Sequence, residues 1–172
     1  AMWARPAHAP KERAAKERRG FSVGRWKSRV KAHPEAVGEL PVATLADEIE
    51  TKGPGQVKVL ITIAGNPVLS TPDSERLDRA LAGLTFMVSV DPYLNETTRH
   101  AHVILPPPSP LERSHYVLAL TNLAVRNYAR WSPALFQTAS PSEAEILARL
   151  ASIAAGQGAT ADPNGVYALV EQ

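Results

Sequence analysis

Three short apolar runs, separated by polar turns and helix-like segments, dominate the middle of the chain. The first, residues 57–64, is continuous and rich in β-branched side chains, which predicts a strand buried on both faces. The second run covers residues 86–90 and the third covers residues 103–105. Because strands that alternate with helices are typical of parallel sheets, the sequence predicts an α/β fold with a mostly parallel sheet.

Helix signals fill the two gaps between these runs. After the first run, Thr71 can cap a helix and Pro72 suits its first position. After the second run, Asn95 can cap a shorter helix. The apolar stripe that follows Pro72 at helical spacing is Leu77, Ala80, Leu81 and Leu84.

Two more helices are predicted outside this region. One covers residues 40–50, and the other covers residues 141–155, where Ser140 and Glu143 have the spacing of a capping box. The apolar residues 116–128 fit a strand, an irregular hairpin or a helix, and extended structure is favoured.

Ligands of parallel α/β sheets bind beyond the carboxyl ends of the strands, so the residues that follow the first two runs are the candidates for a site. Gly65-Asn66-Pro67 follows the first run and Asp91 follows the second. Glycine permits close approach of a phosphate to the backbone, and the amino terminus of a following helix would supply N–H donors. Asp91 can accept hydrogen bonds from a ribose or from the amino and imino groups of a purine.

Each candidate also has a purely structural interpretation. The three residues 65–67 favour any ordinary strand-to-helix turn, and Asp91 can cap the turn before Pro92. The sequence contains neither a glycine-rich dinucleotide fingerprint nor a phosphate-loop lysine motif.

A dense group of polar residues lies between Asp91 and the third run. His100 and His102, with His115 further along, raise the possibility of a metal site. Residues two apart share a face only on a strand, and no carboxylate stands at helical spacing to complete a ligand set. We therefore favour satisfied or exposed histidines, and no nucleophile–histidine–acid arrangement stands out.

Composition narrows the class of protein. The 172 residues suit one domain, and the absence of cysteine excludes disulfides and thiolate or iron–sulfur ligation by this segment. No apolar run reaches transmembrane length and no signal-peptide pattern is present, so a cytoplasmic protein is the default expectation.

The net charge is only +2, but basic residues are concentrated in the first thirty positions. Apolar residues there are too sparse for a core-facing stripe. We interpret residues 1–33 as a largely flexible basic linker or tail, and residues 34–172 as the folded domain. A nucleic-acid-binding arm is the alternative for this tail, and we favour the linker.

Taken together, the motifs resemble the molybdopterin oxidoreductase family, the large enzymes that carry bis-molybdopterin guanine dinucleotide, such as formate dehydrogenases and nitrate reductases. The resemblance covers roughly residues 37–156. The family shows a Gly-Asn-Pro turn after a strand, a strand ending in Asp, a Thr-Glu-Thr-Ala-like helix start and an Ala-Asp-Val-Val-Leu-Pro strand followed by Glu. The matching residues here are Gly65, Asn66, Pro67, Asp91, Asn95, Glu96, Thr97, Thr98, Ala101, Val103, Ile104, Leu105, Pro106 and Glu112.

The resemblance implies part of the family's third domain, a Rossmann-like three-layer α/β sandwich that holds one guanine dinucleotide arm. Gly65-Asn66-Pro67 would approach the pyrophosphate, and Asp91 would recognise guanine or ribose. Thr97 and Thr98 would add hydrogen bonds to the same arm. Because a carboxylate repels phosphate, Asp91 should lie at the nucleoside end.

The chain departs from the family at His102, where the usual residue is Asp. The family's cysteine cluster, metal-ligating residue and closing domain have no counterpart in the sequence. The resemblance thus implies a domain of a larger molybdenum (or tungsten) oxidoreductase, inactive by itself, whose partners are the parent's other domains and whose iron–sulfur clusters lie elsewhere. A stand-alone nucleotide-binding module is the alternative.

Overall fold

The computed structural model describes residues 23–36, 38–116 and 130–158. The chain divides into two compact units, one containing the described residues up to Pro106 and the other containing those from Pro107 onward. We describe each unit by itself. The predictions for residues 1–22 and for most of the 116–128 run lie outside the described residues.

The first unit begins with an antiparallel hairpin of β1 (Val23–Lys27) and β2 (Pro34–Ala36). Glu35 is fully buried, and its carboxylate accepts hydrogen bonds from the Arg25 guanidinium at 2.5 and 3.2 Å and from the Arg25 backbone N–H at 3.1 Å. These bonds hold the pKa of Glu35 down to about 2. The predicted division of the chain at residue 33 falls inside this hairpin and stays a prediction.

A short 3₁₀ turn, Val42–Thr44, leads into α1 (Leu45–Glu50), within the predicted helix 40–50. Ala46 and Ile49 are buried on its apolar side. Its acidic side is tied to the segment after β1 by ion pairs, Lys31 Nζ to Asp47 Oδ2 at 2.9 Å and Arg29 Nε to Glu48 Oε2 at 3.1 Å. Charge pairs therefore hold the hairpin to α1.

The parallel sheet contains β3 (Val59–Ile63), β4 (Phe86–Val90) and β5 (Val103–Ile104) in the order β3-β4-β5. Both strand pairs are parallel, with Ile61 opposite Val88 and Ser89 opposite Ile104. Two helices connect β3 to β4, namely α2 (Pro67–Ser70) and α3 (Ser74–Ala82). The predicted α/β, Rossmann-like fold with a parallel sheet is confirmed.

The core lies where helices pack on one face of this sheet. Its buried members are Ala46, Ile49, Val68, Leu77, Ala80, Leu81, Leu84 and Met87, with Leu60 packed against them. Residues Met87–Val90 of β4 are all buried, as expected of a central strand.

The prediction that residues 57–64 are buried on both faces is wrong for this structure. Val59, Ile61 and Ile63 share the face opposite Leu60 and remain between 42% and 56% exposed. β3 is the edge strand of the described sheet, and an apolar run does not reveal which of its faces other elements cover.

The predicted start of the second helix is also wrong. Thr71 ends α2, where its hydroxyl donates to the Pro67 carbonyl at 2.7 Å, and so it does not cap α3. Asp73 instead precedes α3 in a left-handed conformation with φ of +57°. Pro67 takes the first position of α2.

The described residues of the second unit form an antiparallel strand pair, β6 (His115–Tyr116) with β7 (Trp131–Ser132), and the helix α4 (Glu143–Ala154). The predicted helix 141–155 is present, but Ser142 caps it rather than Ser140, accepting from the Glu145 N–H at 3.2 Å. Arg113 and Glu143 form an ion pair within this unit.

Candidate functional site

The polypeptide turns sharply where β3 ends. Ala64 and Gly65 both adopt left-handed backbone conformations, with φ of +52° and +79°. The Ala64 N–H donates to the Val90 carbonyl at 2.9 Å, which ties the turn to the end of β4. A Cβ atom added at Gly65 would meet no atom within 4 Å, so the turn faces open space. A ligand can therefore approach the Gly65 backbone.

Asn66 joins this turn to the loop that follows β4. Its Oδ1 accepts a hydrogen bond from the Thr97 hydroxyl at 2.7 Å, and its Nδ2 donates to Glu96 Oε2 at 2.6 Å. The second of these bonds lowers the pKa of Glu96. The Thr97 oxygen in turn accepts from the Val68 N–H at 3.0 Å. The Asn66 side chain thus holds two loops together.

Helix α2 offers fewer N–H donors than the sequence suggests. It has four residues, Pro67 carries no N–H, and the Val68 N–H is taken by Thr97. The Leu69 and Ser70 N–H groups donate to the Asn66 carbonyl. Within residues 38–116, the donors of this turn that have no acceptor are the N–H groups of Gly65 and Asn66. Donors for an anion therefore come from the turn itself.

Asp91 lies at the end of β4 and is 6% exposed. Its Oδ1 accepts the Tyr93 N–H at 2.8 Å, as a turn-capping aspartate does. The hydrogen bonds found in the described part of the chain include none to its Oδ2. The turn-capping interpretation of Asp91 thus has a structural basis, and a bond from Oδ2 to a ligand stays a prediction.

Thr97 and Thr98 are both buried, and both hydroxyl groups are engaged. The Thr98 hydroxyl donates to the Tyr93 carbonyl at 2.8 Å and accepts from the Asn95 N–H at 2.8 Å. Asn95 Oδ1 accepts from the N–H groups of Thr97 and Thr98, both at 3.0 Å, and so holds the backbone just before the 3₁₀ turn Thr98–His100. Direct bonds from these threonines to a ligand stay a prediction, and the geometry favours a positioning role.

A charged cluster fixes the same loop to α3. Asp78 accepts hydrogen bonds from Arg99 at 2.6 and 2.7 Å and lies 2.6 Å from His100 Nε2. Arg99 is the main cause of the lowered pKa of Asp78. The other histidine of this segment, His102, accepts the Met87 N–H at 3.1 Å through Nδ1. Both side chains therefore have structural partners.

Two features of the site were not predicted from the sequence. Glu96, named there only as part of the family motif, bonds directly to Asn66. Tyr93, between Asp91 and Thr98 in the sequence, has an exposed side chain. The dense polar grouping of residues 96–102 was the available signal for Glu96. No pattern singled out Tyr93.

Comparison with known proteins identifies the family. Residues 10–138 match the sequence model of the family described as molybdopterin oxidoreductase, which is well over half of the chain. The chain belongs to the molybdopterin oxidoreductase family. No solved structure matches the chain.

Three curated members of the molybdopterin oxidoreductase family illustrate the relationship. The chain is 41% identical over 58 residues to the assimilatory nitrate reductase catalytic subunit of Bacillus subtilis, covering 34% of this chain and 8% of that protein. It is 36% identical over 63 residues to the F420-dependent formate dehydrogenase subunit alpha of Methanocaldococcus jannaschii, covering 37% of this chain and 9% of that protein. It is 46% identical over 52 residues to the nitrate reductase of Synechocystis sp., covering 30% of this chain and 7% of that protein. The matched segments span less than a tenth of these relatives.

The helices of this molybdopterin oxidoreductase segment are short. None of those in the described ranges has the length and apolar character that a membrane crossing requires.

Proposed function

We propose that this chain is the part of a larger molybdenum (or tungsten) oxidoreductase that holds the guanine dinucleotide arm of a molybdopterin cofactor. The observation that carries the proposal is the bonding of Asn66 to Thr97 and Glu96. It brings the Gly65-Asn66-Pro67 turn and the loop after Asp91 together at the carboxyl edge of the parallel sheet, where such sheets bind nucleotides.

The groups at this edge fit the two ends of a nucleotide. The unpaired N–H groups of Gly65 and Asn66, beside open space, suit a phosphate oxygen. The free Oδ2 of Asp91 suits the amino and imino donors of guanine or a ribose hydroxyl. Because Asp91 is acidic and repels phosphate, the nucleoside belongs beside Asp91 and the pyrophosphate beside the N–H groups of Gly65 and Asn66.

In this proposal the chain contributes binding and orientation. The bound cofactor supplies the metal-centred redox chemistry, and the chain's own residues hold its nucleotide portion in place. Thr97 and Thr98 act by fixing the two loops, as their buried and fully engaged hydroxyl groups suggest. Substrate binding, iron–sulfur clusters and electron transfer are assigned to other domains of the parent, since the matched segments of relatives are less than a tenth of their lengths.

Three of the basic residues near the amino terminus that the structure describes give less support to nucleic-acid binding. Arg25, Arg29 and Lys31 pair with Glu35, Glu48 and Asp47 respectively. Their charges are therefore largely compensated within the unit, which favours a structural role for them.

Isothermal titration calorimetry of the chain with GDP and ADP tests the proposal. We expect GDP to bind more tightly than ADP, and Asp91→Asn to reduce that discrimination by about 10- to 150-fold, because a hydrogen bond to a charged group is worth about 1.5–3 kcal/mol. Glu75→Gln, which neutralises a carboxylate that is 90% exposed, is the control and should bind as the unaltered chain does. Equal binding of GDP and ADP, unaffected by Asp91→Asn, would contradict the proposal.

A further inference from the structure

Tyr93 and Leu94 are the most exposed large hydrophobic side chains among the described residues, at 73% and 77%. They lie in the loop that joins Asp91 to the buried pair Thr97 and Thr98. Single exposed apolar residues are common on protein surfaces and need no explanation by themselves. What distinguishes Tyr93 is how firmly its backbone is held beside a free carboxylate oxygen.

The Tyr93 backbone is bonded on both sides. Its N–H donates to Asp91 Oδ1 at 2.8 Å, and its carbonyl accepts from the Thr98 hydroxyl at 2.8 Å. Thr98 is itself almost fully buried and accepts from the Asn95 N–H. The aromatic ring is therefore carried to the surface on a rigid segment, and a ligand that covers it does not have to order the backbone.

The same bonds fix the backbone that carries the ring relative to Asp91. Oδ1 of that carboxylate is occupied by the Tyr93 N–H, which leaves Oδ2 as the oxygen without a partner in the described residues. A flat molecule with N–H donors along one edge would satisfy both features, with its face on the ring and its edge at the carboxylate. Guanine has this character, because N1–H and the 2-amino group are adjacent donors. Adenine presents an acceptor at N1 and does not match.

We propose that Tyr93 is the stacking platform for the guanine base and that, together with Asp91, it determines the selectivity of the site for guanine. This inference rests on the proposed function and adds to it the residue that binds the base. Stacking on Tyr93 involves the face of the base and is open to any purine, whereas the Asp91 carboxylate accepts hydrogen bonds from donors on the edge of guanine. The two residues should therefore have separable effects on affinity and on discrimination.

Calorimetric titration of the chain with GDP, IDP and ADP separates these effects. Inosine lacks the 2-amino group but keeps the ring and N1–H, so it reports on one of the two edge donors. Tyr93→Ala should weaken binding of all three nucleotides by a similar factor, about 5- to 150-fold as for other base–aromatic stacks. Asp91→Asn should instead weaken GDP most and leave ADP nearly unchanged.

Three further variants make the result specific to an aromatic face. Tyr93→Phe keeps the ring and should restore the affinity that Tyr93→Ala loses, while Tyr93→Leu keeps an apolar side chain without the ring and should not. Leu94→Ala alters an equally exposed neighbour in the same loop and should leave binding within about twofold of the unaltered chain. Circular dichroism checks that each variant is folded.

The outcomes distinguish this inference from the proposed function. If Tyr93→Ala binds GDP normally while Asp91→Asn does not, the stacking role is wrong and the proposed function stands. If Tyr93→Phe is as weak as Tyr93→Ala, the hydroxyl rather than the ring is responsible, and the stacking role is again wrong. If the unaltered chain binds no guanine nucleotide, both the proposed function and the inference are overturned.

Discussion

The buried hydroxyl of Thr97 donates a hydrogen bond to Asn66 Oδ1 at 2.7 Å across 31 positions of sequence. The Thr97 hydroxyl oxygen also accepts a hydrogen bond from the Val68 N–H at 3.0 Å. One hydroxyl thus connects the turn after β3, the first turn of α2 and the loop after β4. The candidate site depends on this connection because it holds the two strand ends in register at their carboxyl edge.

Removing that hydroxyl should destabilise the fold and loosen the site. Thr97→Val leaves the buried Val68 N–H without an acceptor, for which we expect a loss of about 1–3 kcal/mol in the free energy of unfolding. Urea denaturation followed by circular dichroism measures this loss, and GDP affinity should fall in parallel. Thr97→Ser retains the hydroxyl and serves as the control. A Thr97→Val variant as stable as the unaltered chain would show that the bond contributes little.

Gly65 should matter to binding beyond its effect on stability. A side chain in the left-handed conformation at φ of +79° costs about 1–2 kcal/mol, although a Cβ there meets no neighbour. Gly156 has nearly the same φ of +75° and the same open surroundings, and it lies in the other unit. Gly65→Ala and Gly156→Ala should therefore have similar stability costs, and only Gly65→Ala should weaken GDP binding. Equal GDP affinities in the two variants would argue against a phosphate beside Gly65.

Acid should weaken the fold partly through Glu35. Its pKa in the folded chain is about 2, below the ordinary 4.5, mainly because Arg25 donates hydrogen bonds to it. A lowered pKa means that the stabilisation is complete above pH 4.5 and is lost as the pH falls from about 4.5 to about 2. Glu35→Gln should be less stable than the unaltered chain at pH 7, and the difference should shrink across that range.

Urea midpoints measured at several pH values between 7 and 2 check this expectation. Asp47, Asp78 and Glu96 also have lowered pKa values and so contribute to the pH dependence of stability. Their contributions cancel in the difference between the unaltered protein and Glu35→Gln. A difference that does not change with pH would place the stabilising effect of Glu35 in something other than its charge.

The position of the core leads to a matched pair of leucine truncations. Leu81 is 1% exposed between the sheet and its helices, so Leu81→Ala should reduce the free energy of unfolding by about 2–5 kcal/mol. Leu69 is 71% exposed on α2, and Leu69→Ala should change the free energy of unfolding by no more than about 0.5 kcal/mol. Chemical denaturation of both variants provides the test. Similar losses would mean that Leu69 is covered in the folded protein.

The succession of strands and helices along the chain could be predicted from the sequence because it depends on local pattern. Apolar runs and turn residues fix where β3, β4 and β5 begin and end, and the rule for parallel sheets then places Gly65 and Asp91 at one edge. The bond between Asn66 and Thr97 could not be predicted in this way. It joins residues whose separation in sequence carries no periodic signal.

The helix starts were missed because neighbouring residues compete for the same role. Ser140 and Ser142 are each followed by a glutamate three positions later, so both fit a capping box. Ser140 before Pro141 would also suit a cap followed by a proline at the first helical position, but the helix begins at Glu143 and Ser142 is its cap. Thr71 was misassigned for a similar reason, since α2 ends on it before α3 begins.

The central claim is that this segment holds the nucleotide arm of a molybdopterin cofactor, and cofactor content of the parent enzyme tests it most directly. Asp91→Asn and Asn66→Ala would be introduced into the full-length protein, with Glu75→Gln as the control. Molybdenum and released guanine nucleotide would then be measured per folded enzyme. We predict that both site variants lose most of their cofactor while the control retains it. Full molybdenum and guanine content in both site variants would contradict the account.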